Sequence, residues 1–316
     1  MKKLLVFCLI GLFQVSYGQK SRLVAGKGNV YFENGQPAQL RGISLSWSIW
    51  GGAKYYNPAV VDELIDAFKC TVIRVSMAVE PADGYLHNPE LQWKRILPVV
   101  DRALERGVYV IMDWHDHHAD KNVKAAAAFF DRFSAKYAHS PLINYEIWNE
   151  PERIDWKIIK TYAETLIPVI RKNDPKNLIV VGSSSWDQDI DIVAKDPLTG
   201  FHNLAYSFHF YASDPHHQEN LRNRATGAIE AGLPVFVTEW GVGESNGDGV
   251  FDLEKNKGWI DWMEKYKLSW VNWNVTDKKE TTALLNPRAP VNGKWKKEHL
   301  TPAGEYIKQQ LHRFHR

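Results

Sequence analysis

From Leu40 onward one alternation recurs eight times, and it limits the possible folds more than any other feature. Each repeat is a short apolar run followed by an amphipathic stretch. The apolar runs occupy 40–46, 71–77, 108–114, 143–148, 178–182, 204–210, 235–239 and 269–273. They are too continuously apolar for strands with one wet face, so they read as parallel strands covered on both sides. Between them, Val61, Leu64, Ile65 and Phe68 fall at i, i+3, i+4 and i+7, and Ile159, Tyr162, Ala163, Leu166 and Ile170 repeat that helical spacing. Gly107 and Gly232 stand where a helix hands over to a strand, the place of a left-handed C-cap. Thr301-Pro302 opens a last helix that closes near Arg313. Eight strand–helix units predict an α/β fold, a (β/α)8 TIM barrel. A doubly wound open sheet would carry a glycine-rich phosphate loop after its first strand, and Gly42-Ile43-Ser44 is not one. Ahead of the barrel, Asn34-Gly35 between short alternating segments predicts a hairpin over 24–39, closing the bottom of the fold. No Pro/Ser/Gly-rich linker divides the chain, so 19–316 reads as one domain.

Residues 1–18 have the pattern of a secretory signal peptide: Lys2 and Lys3, an apolar run from Leu4 to Val15, and then Ser16-Tyr17-Gly18. Cys8 lies too early in that run for a lipid anchor, and no later stretch is apolar for long enough to span a membrane. Removing the signal lowers the basic count from 39 to 37, equal to the 37 acidic residues. That balance argues against a nucleic-acid partner. Cys70 alone remains after cleavage and reads as a buried small apolar residue, with no intramolecular disulfide possible. Thirteen tryptophans are well above ordinary usage; some belong to the core, but in a neutral secreted chain rich in them they suggest stacking on sugar faces.

In a barrel of this kind chemistry sits at the C-terminal ends of the strands. Those ends carry Ser46 and Trp50, Arg74, His115, Asn149 and Glu150, Trp186, His209 and Tyr211, Glu239, and Trp273. Pro151 stops the fourth strand and leaves Asn149 and Glu150 at its open lip. Glu239, in Val237-Thr238-Glu239-Trp240-Gly241, ends the seventh strand across the ring. Two facing carboxylates among aromatic rings suit glycosidic bond cleavage, one protonating the leaving oxygen and the other attacking the anomeric carbon. Arg74, with the Tyr211 hydroxyl, is expected to hold the nucleophile ionised in the better-solvated position, whereas the acid needs a raised pKa.

Asn-Glu-Pro, Thr-Glu-Trp-Gly, Arg74 and His209-Phe210-Tyr211, together with Asp113-Trp114-His115 and Ser269-Trp270-Val271-Asn272-Trp273, resemble glycoside hydrolase family 5. The similarity runs from about Val24 to the C terminus and is strongest to the bacterial endo-β-1,4-glucanases of the second subfamily. It implies a retaining endoglucanase with Glu150 as acid/base and Glu239 as nucleophile. It further implies that Asn149 contacts the sugar 2-hydroxyl, that His115, His209 and Tyr211 wall the cleaving subsite, and that Trp273 is the platform beneath it. Trp50 and Trp186 would flank that subsite, and Lys278 and Glu280 would grip sugars on the non-reducing side. Ser46, Ala78 and Asp277 depart from residues common in relatives and bear on which glucan is preferred. Rival readings are an endo-β-mannanase, a xyloglucanase or a mixed-linkage glucanase on the same frame, and a glycan-binding relative without catalysis.

Asp113, His115, Asp116, His117 and His118 invite a metal reading, but successive strand residues point to opposite sides, so neither metal nor cofactor is expected. His216 and His217 read as a solvated loop, and Trp259 and Trp262 as helix packing. Trp47, Trp114, Trp148 and Trp240 suit either packing or a cleft wall. Glu146, inside a strand, needs a partner that sequence does not identify. The expected partner is a β-glucan, with the protein acting as a monomer.

Overall fold

The computed structural model describes residues 21–315. The expected signal peptide, with Cys8, lies outside them. A two-stranded antiparallel hairpin, β1 (Leu23–Gly26) and β2 (Asn29–Phe32), precedes eight parallel strands. These are β3 (Arg41–Leu45), β4 (Val72–Ala78), β5 (Tyr109–His115), β6 (Ile143–Glu146), β7 (Ile179–Val181), β8 (Leu204–Tyr211), β9 (Val235–Gly241) and β10 (Trp270–Val275). β10 pairs with both β9 and β3, which closes the barrel. Each strand falls on one of the eight apolar runs, and helices lie between successive strands on the outside. The fold is a (β/α)8 barrel.

The hairpin is present, but its tight turn is elsewhere. Strands β1 and β2 meet through Lys27-Gly28, with Gly28 at φ +71°, whereas Asn34-Gly35 makes a second turn that brings Pro37 back beside Tyr31. Both pairs offer a residue suited to positive φ, so sequence alone does not choose between them. At the helix ends the chemistry follows expectation. Gly107 and Gly232 have φ of +68° and +97°, and the Thr301 hydroxyl caps the final helix (Pro302–Phe314) by accepting from the Gly304 N–H. The helix Pro58–Asp66 stops short of Phe68, which is nevertheless fully buried. Cys70 is buried and free, as expected.

Two apolar clusters divide the work. The larger fills the layer between barrel and helices and takes in Trp114, Trp148, Trp240, Trp259 and Trp262. The smaller closes the barrel's N-terminal end, where Val72, Ile111, Ala205, Phe236 and Val271 meet Leu23 and Val30 of the hairpin. Because side chains alternate along a strand, the inward positions just above that plug are Arg74 after Val72, Asp113 after Ile111, and Ser207 then His209 after Ala205. A charged layer thus rests on an apolar one. The alternation is broken once in β9. Ser207 pairs with Phe236 but His209 pairs with Glu239, so β9 carries one extra residue over that interval. The bulge lets both Thr238 and Glu239 reach the interior. Among the described residues, no helix is long and apolar enough to cross a membrane.

Candidate active site

Arg74 is the hub of the charged layer. It is fully buried, and its guanidinium donates to Glu146 Oε2 at 2.6 Å, Glu239 Oε2 at 2.7 Å and Asn149 Oδ1 at 2.6 Å, with Asp113 Oδ2 3.0 Å away. A buried guanidinium demands such a set, because its desolvation is offset only when its donors are all engaged. Glu146 therefore has its partner. Arg74, with His209, outweighs burial and holds its carboxyl down at about 2. Asn149 spends its carbonyl oxygen on Arg74, which turns its NH2 group toward the cleft as a donor.

Both oxygens of Glu239 are occupied, one by Arg74 and the other by the Tyr211 hydroxyl at 2.7 Å. Burial and the Glu239 charge push the Tyr211 phenol well up, so it remains a donor. The glycine after Trp240 belongs to this arrangement: a Cβ on Gly241 would lie 2.4 Å from the Tyr211 ring. Glu239 is not the better-solvated carboxylate that sequence suggests. Its side chain is 4% exposed against 15% for Glu150, because Arg74 draws it into the barrel.

Glu150 stands at the lip. Strand β6 ends at Glu146, two residues earlier than expected, and the lip is carried instead by the Asn149 N–H on the Trp114 carbonyl (3.1 Å) and the Glu150 N–H on the Asp116 carbonyl (3.4 Å). Glu150 Oε1 faces His209 Nδ1 at 3.0 Å. Burial raises the Glu150 carboxyl, but His209, with His117 and His115, brings it below its ordinary value. The raised value expected of an acid is therefore not met while His209 is charged, and His209 itself is held well above its ordinary value against burial by Asp187, Glu146 and Glu150. Carboxylate oxygens of Glu150 and Glu239 lie within 4.8 Å of each other.

The cleft has two lobes that meet at Glu150. One, ≈ 600 Å³, holds Glu239, Trp273, Trp47, Trp50, Lys278 and Glu280. Trp273 stacks on His115 with ring centroids 5.2 Å apart and planes 7° apart, and Trp47 meets His115 edge-on at 4.2 Å. His115 Nδ1 lies 2.6 Å from Asp113 Oδ2, and burial, with the Arg74 charge, lowers its pKa to about 3, so a neutral ring faces the cleft. Trp50 projects at the rim, 69% exposed and with φ +48°. Lys278 pairs with Glu280 (2.5 Å) and Asp277 with Lys54 (2.6 Å). Of the three departures, Ser46 and Asp277 line this lobe, while Ala78 is fully buried at the end of β4.

The other lobe, ≈ 660 Å³, is lined by Trp186, Arg153, His117, His216 and His217 beside Glu150. Trp186 does not sit at a strand end. It lies in a turn after β7 in which Ser185, Trp186 and Asp187 all have left-handed φ, of 57°, 55° and 61°. That conformation costs an ordinary residue about 1–2 kcal/mol. The turn is held by Ser185 and Trp186 N–H groups on the Glu152 and Pro151 carbonyls, in the same loop as Glu150. Gly182 permits the close approach, since a Cβ there would meet Asp187 Oδ1 and the Trp148 carbonyl at 2.9 Å. Arg153 lies over the Trp186 ring, 5.4 Å from its centroid. His216 is exposed as expected, but His217 is buried, accepting the Tyr211 N–H on Nδ1 at 2.9 Å. Trp47 lines the cleft, whereas Trp114, Trp148 and Trp240 are packing residues.

The histidine-rich segment at the end of β5 and beyond splits as strand geometry requires. Asp113 and His115 point inward, His117 lines the cleft, and Asp116, fully buried, and His118 join Glu80, with the His118 N–H donating to Asp116 Oδ1 and His118 Nδ1 2.9 Å from Glu80. Three groups among the described residues bring carboxylate and imidazole atoms within 4.8 Å: Glu80, Asp116 and His118; Glu146, Asp187 and His209; and Glu150, His209 and Glu239. In the last two, His209 Nδ1 faces Glu150, and Arg74 occupies an oxygen of Glu146 and of Glu239, an ion-pair arrangement.

Comparison with known proteins identifies the family. The family model described as Cellulase (glycosyl hydrolase family 5) matches residues 31–279. Endoglucanase Z of Dickeya dadantii is 36% identical over 284 residues, 89% of this chain and 64% of that protein. Endoglucanase A of Evansella cellulosilytica is 38% identical over 283 residues, 88% of this chain and 57% of that protein. The chain thus spans less than two thirds of the length of these relatives. Among solved structures, one from Cytophaga hutchinsonii superposes with a TM-score of 0.90 at 40% identity, covering 93% of this chain and 95% of the other. The catalytic domain of a Thermobifida fusca endoglucanase, also solved in complex with cellotetraose, gives 0.87 at 34% identity, covering 94% and 98%. The chain belongs to the cellulase family, glycosyl hydrolase family 5.

Proposed function

We propose that this chain is a secreted endo-β-1,4-glucanase that cleaves with retention of configuration, Glu239 attacking the anomeric carbon and Glu150 serving as acid and then base. The observation that carries the reading is the spacing of the two carboxylates. Retaining enzymes hold theirs about 5–5.5 Å apart, whereas inverting enzymes need about 6.5–9.5 Å to admit a water. Oxygens within 4.8 Å of each other favour the first.

The residues divide the reaction between them. Arg74 and Tyr211 fix both oxygens of Glu239, so its attacking lone pair is aimed rather than free to swing. Attack forms a covalent glycosyl-enzyme as Glu150 passes its proton to the departing oxygen. Water, deprotonated by Glu150, then releases the sugar. The lobe holding Glu150 without Glu239 is accordingly the leaving-group side, with Trp186 as its platform. The lobe holding Glu239, Trp273 and Lys278 is the non-reducing side. The NH2 of Asn149, oriented by Arg74, donates to the sugar 2-hydroxyl, a bond that strengthens in the transition state. Flat rings at Trp273, Trp186 and Trp50 suit the apolar faces of equatorial β-linked sugars. Relatives named endoglucanases and the cellotetraose complex of the Thermobifida fusca enzyme support the substrate class. Export rests on the N-terminal pattern at 1–18.

The test is initial hydrolysis of carboxymethyl cellulose, barley β-glucan, xyloglucan and glucomannan side by side, with a chelator present. The expected result is chelator-insensitive activity led by the first two. A lead for xyloglucan or glucomannan would redirect substrate preference toward the pockets at Ser46 and Asp277. No activity on any of the four would overturn the reading.

A further inference from the structure

One buried ionisable group has no part in the double displacement. Asp187 is fully buried at the end of the left-handed turn that presents Trp186. Its Oδ1 accepts the Ser183 N–H and thereby closes the turn. Its Oδ2 has no hydrogen-bond partner among the described residues and lies 3.5 Å from His209 Nε2. A buried carboxylate oxygen without a hydrogen bond is costly unless the charge opposite it is useful.

The protons around His209 can be assigned by following donors. Glu146, held ionised by Arg74, can only accept, so the Ser207 hydroxyl donates to its Oε1 (3.1 Å). Ser207 must then accept from the Thr238 hydroxyl (2.8 Å), and Thr238 from His209 Nε2 (2.9 Å). Nε2 therefore carries a hydrogen throughout. The remaining proton lies between His209 Nδ1 and Glu150 Oε1, 3.0 Å apart. When it is on Glu150 the acid is loaded; when it is on His209 the pair is an imidazolium and a carboxylate. Groups that face His209 are Glu146 and Glu150 from β6 and its lip, Asp187 from the turn after β7, Thr238 and Glu239 from β9, and Asp113 from β5. Most of them are committed elsewhere: Glu146 and Glu239 to Arg74, and Asp113 to Arg74 and His115. Asp113 Oδ1 also lacks a hydrogen bond, but the other oxygen of that carboxylate serves Arg74 and His115, whereas Asp187 Oδ2 faces His209 and has no hydrogen-bond partner among the described residues.

We propose that Asp187 is a positioning residue that joins the leaving-group platform to the acid/base: through His209 it retains the proton of the Glu150–His209 pair, and through Ser183 it holds the turn that carries Trp186. This rests on Glu150 being the acid/base. Asp187 touches neither substrate nor the reacting atoms. Burial raises its carboxyl well above the ordinary value, the His209 charge opposes that rise only in part, and Asp187 in turn raises His209.

The proposal separates two variants. Asp187→Asn keeps an acceptor for the Ser183 N–H but loses the charge, so the pair gives up its proton at lower pH. The alkaline limb of kcat/KM should move down by about one pH unit, with the acidic limb in place. Asp187→Ala loses both contacts, so the same limb shift should come with a higher KM for cellohexaose than in the Asn variant. An Asp187→Asn alkaline limb coincident with that of the wild type overturns the proposal. A second measurement needs no variant: 15N NMR of the wild-type His209 ring should show Nε2 protonated on both sides of the alkaline limb. A ring that instead loses the Nε2 hydrogen there contradicts the assignment. A wild type inactive on every glucan would sink the functional reading, whereas an active wild type with an unmoved variant limb sinks this inference alone.

Discussion

The two ends of the barrel interior are built by the same strands and obey opposite rules. At the bottom, Val72, Ile111, Ala205, Phe236 and Val271 form a dry apolar plug under the hairpin. One alternation higher, and two for His209, β4, β5 and β8 contribute Arg74, Asp113, Ser207 and His209, equally buried but charged or polar. The lower layer gains from being out of water and its members are interchangeable within limits of volume. The upper layer is costly to bury and holds together only as a complete network, so its members are not interchangeable. Stability is concentrated in the one and chemistry in the other, and substitutions should separate them.

The largest effect belongs to the top. Glu239→Gln should lower kcat/KM by on the order of 10⁴-fold while cellotetraose binding, read by calorimetry, persists; a glycan-binding protein would lose nothing. Arg74→Met should do two kinds of damage. It strands Glu146, Glu239 and Asp113 without their cation, at about 3–5 kcal/mol of stability in urea unfolding, and it abolishes activity. Ile111→Ala, beneath it, should cost about 2–5 kcal/mol for the cavity yet leave kcat/KM of the folded protein nearly unchanged. Equal losses of activity in these last two would erase the distinction between the layers.

A pH titration sharpens the same contrast. Glu146 is depressed from the usual carboxylate value of 4.5 to about 2, so its stabilisation is complete above about pH 4.5 and is lost as pH falls from there toward 2. His209 is raised, so its contribution is complete below its ordinary 6.5 and is lost only as pH climbs through its elevated folded value. Melting temperature against pH should therefore fall on the acid side, and Ile111→Ala should fall in parallel with the wild type, since the plug residue carries no titratable group. Arg74→Met should show a shallower acid slope. The smallest effect is expected at the rim: Trp50→Ala should change stability by less than about 0.5 kcal/mol, because the ring is 69% exposed, and should raise KM only for long oligosaccharides.

Sequence showed the lower layer better than the upper. Apolar runs locate all eight strands because burial imposes a pattern on neighbouring residues, and Pro151 after Asn149-Glu150 marks an open lip for equally local reasons. The network above depends on partners far apart in the chain. Nothing near Glu146 indicates Arg74, 72 residues away. The bulge that admits both Thr238 and Glu239 is a matter of register with β8, invisible in either strand alone. The turn at Ser185, Trp186 and Asp187 contains no glycine to advertise its left-handed backbone; Gly182, which makes room for it, is the signal that sequence does carry. The hairpin turn falls at Lys27-Gly28 rather than Asn34-Gly35 for a related reason, since both pairs satisfy the local rule and the packing of Leu23 and Val30 against the barrel selects one. The solvation of Glu239 and the direction of the Glu150 shift escape a sequence reading because both follow from where Arg74 and His209 point.

In the proposed reaction Glu239 attacks carbon directly, and Glu150 supplies and then recovers a proton. Proton NMR of a soluble cello-oligosaccharide during its first minutes of hydrolysis reads this most directly, before mutarotation scrambles the new reducing end. A double displacement predicts that the β-anomer appears first. Initial release of the α-anomer would mean inversion and would contradict it.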